Sequence, residues 1–166
     1  MREPELGDVA EVLDPAMVVV TVAADGEVDG CLVGFHSQCS IDPPRYAVWL
    51  SVANRTHELA LRADRLAVHV LGAADHDLAS LFGGQTGDDV DKLAQCAWTP
   101  GPGGVPVLDR CTTRVVGRIV ASATDTGDHD VFVLDVEDIG AEAGSAPLRL
   151  RAVTDIEPGH EATERR

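Results

Sequence analysis

Aromatic residues and lysines are nearly missing from this 166-residue chain: three Phe, two Trp and one Tyr stand beside a single lysine, Lys92. The shortage of rings means that any core must be built from Val, Leu, Ile and Ala, and the Val-rich runs favour strands over helices. Thirteen basic residues against twenty-eight acidic ones leave a formal net charge of −15. Such a surface repels nucleic-acid phosphates and anionic lipid headgroups, which argues against both as partners. No apolar run reaches the length of a membrane span, and Met1 to Glu5 carries no signal-peptide core, so a reducing cytoplasm is the expected location. The four cysteines (Cys31, Cys39, Cys96 and Cys111) form no C-x-x-C pair and lack a histidine at ligand spacing. They read as buried or half-buried thiols, with no metal site. Internal repeats and low-complexity blocks are also lacking.

What is present fits one domain over residues 1–156, followed by a polar tail over 157–166 that is expected to fray. Leu6, Val9, Ala10 and Leu13 have helical spacing, predicting a short amphipathic helix over 5–13. Met17–Ala23 reads as a buried strand, Asp25-Gly26 as a hairpin turn, and Val28–Phe35 as the returning strand. Ser37–Ile41 precedes a rigid Asp42-Pro43-Pro44 break, and Tyr46–Ser51 is a further strand. A turn at Ala53-Asn54 leads into a helix over His57–Ala63. Leu66–Leu71 is a strand, and Asp75–Phe82 a helix with Asp75 as its cap, stopped by Gly83-Gly84. Residues 83–110 read as loop-rich. Thr112–Ala121 and Asp130–Ile139 form a hairpin around Thr124–Asp128, and Leu148–Val153 suggests an edge strand. Hairpin spacing throughout predicts a mainly β fold, an antiparallel barrel with short helices inserted.

Three segments concentrate polar groups. From Gly30 to Pro44, glycines, hydroxyls and an amide interrupt strand-like pieces. This suits either barrel strands with one wet face or a ligand cleft lined by main-chain groups with Ser37, Gln38 and Ser40. In Ser51–Leu59, Asn54 or Thr56 would cap a helix whose start, with Arg55, suits a phosphate; a merely capped, solvated helix start fits as well. Gly127-Asp128-His129-Asp130 places a histidine at a strand entrance, either as a structural residue or as a donor beside a redox ligand.

In this order the segments resemble the flavin reductase family, FMN-binding split-barrel proteins that include the small reductase partners of two-component flavin monooxygenases. The resemblance runs from about Ala16 to Ile139. It rests on the Val18–Val22 strand, Gly30-x3-Gly34, Ser40-Ile41-Asp42-Pro43-Pro44 and a strand ending at Ser51. It continues through Asn54-Arg55-Thr56-His57-Glu58-Leu59, Leu66–Leu71, Leu78-Ala79-x-Leu81-Phe82-Gly83-Gly84, Asp91-Lys92-Leu93, Gly104-x-Pro106-Val107-Leu108 and Gly127-Asp128-His129. It implies a Greek-key-like split β-barrel, a homodimer, and FMN (FAD also being open) bound near the dimer interface. The isoalloxazine edge would face the backbone of Leu32, Val33, Gly34, Phe35, His36 and Ser37, with Gln38 and the Cys39-Ser40 turn beyond. The phosphate would lie by Ala53, Asn54, Arg55 and Thr56, with Lys92 assisting and Phe82 near the ring. His129 would meet the nicotinamide of NADH or NADPH, orienting its carboxamide while hydride passes to the flavin, and a monooxygenase would receive the product.

The chain departs from the family pattern at four places. Gly34-Phe35 stands where two adjacent hydroxyl residues are usual, and His36 replaces a common Phe. Arg45 replaces an apolar residue, and Leu134 stands near a usual Gly. A flavin carrier without turnover, a related split-barrel oxidoreductase with another donor, and a cofactor-free interaction module are the rival expectations.

Overall fold

A computed structural model describes residues 1–160. Helix α1 (Leu6–Leu13) precedes four strands: β1 (Val18–Ala24), β2 (Glu27–Val33), β3 (His36–Ser40) and β4 (Arg45–Ser51). Then come α2 (Arg55–Ala60), β5 (Arg65–Val70), α3 (His76–Gly83), β6 (Trp98–Pro100), β7 (Pro106–Leu108), β8 (Arg114–Ala123) and β9 (His129–Gly140). Seven strands form one antiparallel sheet in the order β2-β1-β5-β8-β9-β4-β3, and β6 pairs with β7 alone. The two edge strands, β2 and β3, are consecutive in the chain and joined only by Gly34-Phe35, so the curled sheet is split at that link.

The continuous apolar run of β1 has a direct cause: both faces are covered. Val18, Val20 and Val22 point into the barrel against Val48, Leu50, Leu66, Val68, Phe132 and Leu134. Met17 and Val19 belong to a second core with Leu71, Leu78, Phe82, Leu93 and Leu108, beneath α3. Each such side chain contributes roughly 1.5–3 kcal/mol of burial, enough to hold the sheet with few aromatic rings. His69 joins the two layers. Fully buried, its Nδ1–H donates to the Val19 carbonyl (3.0 Å), while Nε2 accepts from the Leu108 N–H (3.0 Å). Burial pushes its pKa down to about 4.

Several expectations are corrected. Leu148–Val153 is no edge strand: Leu150–Val153 forms a 3-10 turn, and only isolated bridges, Ala16 to Arg149 and Gly72 to Pro147, tie this segment to the sheet. The loop-rich stretch 83–110 holds, in addition, the short β6–β7 hairpin. Asp75 does not cap α3 with its side chain. Its carboxylate instead accepts from the Gly72 N–H (2.8 Å) and pairs with Arg110 (2.7 Å). Cys39 is exposed on β3, whereas Cys31 and Cys111 are buried. The expected amphipathic face of α1 covers nothing in this chain, since Leu6, Val9, Val12 and Leu13 are exposed. Of the expected polar tail, 161–166 lie outside the described residues; within 157–160, the Gly159 N–H donates to the Gly83 carbonyl (3.2 Å). Among the described residues no helix is long and apolar enough to cross a membrane.

Candidate functional site

The split is where the polar groups gather. β3 is an edge strand, and Ser37, Gln38 and Cys39 on it are exposed, leaving one side of its main chain without a ladder partner. Two of the side chains there bond to the strand's own main chain. The Ser37 hydroxyl donates to the Gln38 carbonyl (2.9 Å), and the Gln38 amide donates to the Ser40 carbonyl (3.2 Å). What this edge offers a ligand is therefore mainly backbone N–H and C=O, which suits a planar ring bearing amide-like N–H and carbonyl groups. His36 is turned to structure. Its Nδ1 accepts from the Tyr46 hydroxyl (2.6 Å), and its Nε2–H donates to the Ala16 carbonyl (2.6 Å). Leu32 packs under α3, where a Cβ on Gly83 would come within 2.6 Å of its Cδ2. Val33 lies in the core, and Gly34 backs onto Met17.

β4 carries this edge to the other expected residues. The Trp49 N–H donates to the Phe35 carbonyl (2.9 Å), and Ser51 faces His129 across the β4–β9 ladder. The Val52 N–H then bonds to the Asp128 carbonyl (2.9 Å), and the Asn54 N–H to the Ser51 carbonyl (3.0 Å). Phe35, Ala53, Asn54, Asp128 and His129 are thus drawn into one neighbourhood, with the rings of Phe35 and His129 5.0 Å apart. His129 Nδ1 lies 2.7 Å from the Asp128 carboxylate, which is held below its ordinary pKa by that contact. Arg45 starts β4 and stands six residues, roughly 20 Å of strand, from the Ser51 end, so it does not cover this corner.

The start of α2 carries no side-chain cap. The amides of Arg55 and Thr56 therefore have no acceptor within the helix, and of the two residues only Arg55 reaches the surface. Arg55 ion-pairs with Glu27 (3.1 Å) and is only partly exposed. Thr56 is not a surface cap but fully buried, its hydroxyl donating to Asp29 (3.0 Å). Lys92 is likewise buried. Its ammonium sits 3.7 Å from Asp29, donates to the Gln85 carbonyl (3.4 Å), and lies 5.8 Å above the Phe82 ring, which is itself core. Asp29 thereby fastens β2, α2 and the 85–92 loop together. Beside this cluster, burial pushes the Cys31 thiol up to about 12.

A second buried contact escaped the sequence reading. His57 Nε2 lies 2.6 Å from Asp130 Oδ2, and the imidazole also meets the Phe132 ring edge-on at 6.0 Å. The pair locks α2 to the start of β9, and so fixes the start of α2 relative to His129. Only the one-residue neighbourhood of Asp130 to His129 hinted at it.

A flavin's ring edge suits the unpaired strand edge, and its phosphate the uncapped helix start with the Arg55 guanidinium. The flavin reductase like domain family matches residues 11–152 of the chain. The chain belongs to the flavin reductase family. This family member is 34% identical over 123 residues to the FMN reductase (NADH) RutF of Stutzerimonas stutzeri, covering 73% of this chain and 70% of that protein. It is 30% identical over 131 residues to the NADH-dependent flavin reductase StyB of Pseudomonas fluorescens, covering 76% of this chain and 71% of that one. In structure it is similar to an FMN-binding protein from Thermus thermophilus crystallised with 1-cyclohex-2-enone. That match has a TM-score of 0.76 at 28% identity and covers 87% of this chain and 80% of the other. The mainly β split barrel expected for a flavin reductase family member is the fold observed.

Proposed function

We propose that this flavin reductase family member, as one domain over residues 1–156, takes hydride from NADH onto FMN or FAD, in the cytoplasm and as a homodimer, and supplies reduced flavin to a partner monooxygenase. One observation carries the reading: the His129 imidazole meets Phe35, the residue at the split beside the unpaired β3 edge. When bound, a flavin supplies the hydride-accepting ring, and the protein's part is orientation and electrostatics.

The backbone of residues 32–40 would position the ring edge and stabilise negative charge developing on it. The Arg55 amide and guanidinium, beside Ala53 and Asn54, would hold the phosphate. His129, its Nδ1 side held by Asp128, would present Nε2 to the nicotinamide carboxamide and orient it without transferring a proton. The exposed apolar face of α1 and the half-exposed Phe35 offer dry surface for a second copy beside the split. NADH oxidation by the purified protein with added FMN tests the reading, and a rate no higher than in the protein-free control would reject it.

A second reading, flavin binding without turnover, is favoured by one contact. Phe35 lies edge-on to His129 and covers part of the imidazole that a nicotinamide would meet. Flavin binding with no NADH oxidation would select it.

A further inference from the structure

We propose that Glu27 determines flavin specificity: by engaging Arg55 it limits what a flavin phosphate adds to binding, so riboflavin and FMN are held about equally well. The inference rests on the assignment of the Arg55 corner to the flavin phosphate in the reading above.

Arg55 supplies the guanidinium at this corner, but its Nη2 lies 3.1 Å from Glu27 Oε2. Glu27 is itself fixed. It opens β2 directly after the Asp25-Gly26 turn, whose two residues have φ of 53° and 78°, and its carboxylate also lies 3.9 Å from Arg62. Arg62 in turn pairs with Asp25. Beyond Arg55 opens a cavity of about 380 Å³ whose other walls include Asp29, Asp88, Asp89 and Asp91. Lys92, the one lysine of the sequence, does not compensate, because it is buried against Asp29. A phosphate arriving at Arg55 must therefore displace or share with Glu27, in a cavity that several further carboxylates line. Riboflavin, uncharged, meets none of this opposition. The chain's discrimination would then come from the ring edge and not from the phosphate.

The experiment is a flavin-fluorescence titration of the full chain, Glu27→Gln and Glu27→Asp, with FMN and riboflavin as the two probes. In the natural sequence the two dissociation constants are expected to agree within about threefold. Glu27→Gln should tighten FMN by up to about fivefold, the range of an exposed ion pair, with riboflavin unchanged. Glu27→Asp, which keeps the charge, should retain the natural ratio. The Gln effect should vanish in molar salt, where the screening length is about 3 Å. FMN affinity unmoved by Glu27→Gln, both flavins shifting together, or a hundredfold natural preference for FMN would each overturn the proposal. Flavin binding without NADH oxidation would retire the reductase reading and leave Glu27's role standing; no binding of either flavin would remove both.

Discussion

The ring of Phe35 meets the imidazole of His129 at 5.0 Å and an interplanar angle of 62°, an edge-to-face contact between residues far apart in sequence. It exists because β3, β4 and β9 are successive neighbours in the sheet, which brings the residue just before β3 beside the first residue of β9. The aromatic partner stands where the family pattern has a hydroxyl, so the contact links the chain's main departure to its proposed nicotinamide residue.

His129→Ala should raise the KM for NADH by about five- to tenfold, the worth of one hydrogen bond, and leave flavin affinity nearly unchanged. Steady-state kinetics with NADH varied, paired with a flavin titration, separates the two. Equal loss of both would reject an orienting role.

The His57–Asp130 pair, with side chains 9% and 1% exposed, should be costly to break from one side. Asp130→Leu or His57→Leu is expected to cost about 3–5 kcal/mol, lowering Tm by roughly 10 °C. The double change to leucines should cost less than the sum of the single changes, because the ionisable group that each single change leaves buried is then removed as well. Urea unfolding of the four proteins measures the coupling, and strict additivity would contradict it.

Lys92→Met should destabilise the fold by about 3 kcal/mol, since it strands the buried Asp29 carboxylate. Adding Asp29→Asn should recover part of the loss, which denaturant titration of both variants would register. No recovery would mean that Lys92 and Asp29 do not act as a pair.

His69 makes stability fall in acid. Its unfolded pKa is near 6.5 and its folded pKa about 4, so the neutral native ring contributes fully above pH 6.5. As pH drops from 6.5 towards 4 the unfolded state gains the proton first, and roughly 3 kcal/mol is lost across that window. In His69→Gln this part of the slope should disappear, measured as unfolding free energy between pH 7.5 and 4.5.

Strand periodicity and turn chemistry were enough to read most of the barrel, because β1, β4, β5 and β9 follow burial pattern and Asp25-Gly26 sets a hairpin. The short β6–β7 pair escaped because Pro100, Gly101 and Pro102 read as punctuation while the pairing is held by Trp98 and Leu108 across it. At the site, the order of motifs pointed to Phe35, Asn54, Arg55 and His129; the fold brings Phe35, Asn54 and His129 to one region and turns the Arg55 guanidinium to Glu27. It could not show that Thr56 and Lys92 face inward onto Asp29, because a buried ion cluster looks in sequence like surface polarity. Nor could it show the His57–Asp130 lock, whose partners meet only once β9 pairs with β4.

The central claim, that the split between β2 and β3 holds a flavin and delivers a nicotinamide to it, is tested most directly under anaerobic conditions. The absorbance of the protein with stoichiometric FMN is followed as NADH is added. Loss of the flavin's yellow absorbance at a rate well above that of the protein-free mixture is the expected result. An unchanged flavin spectrum, with NADH remaining intact, would contradict it.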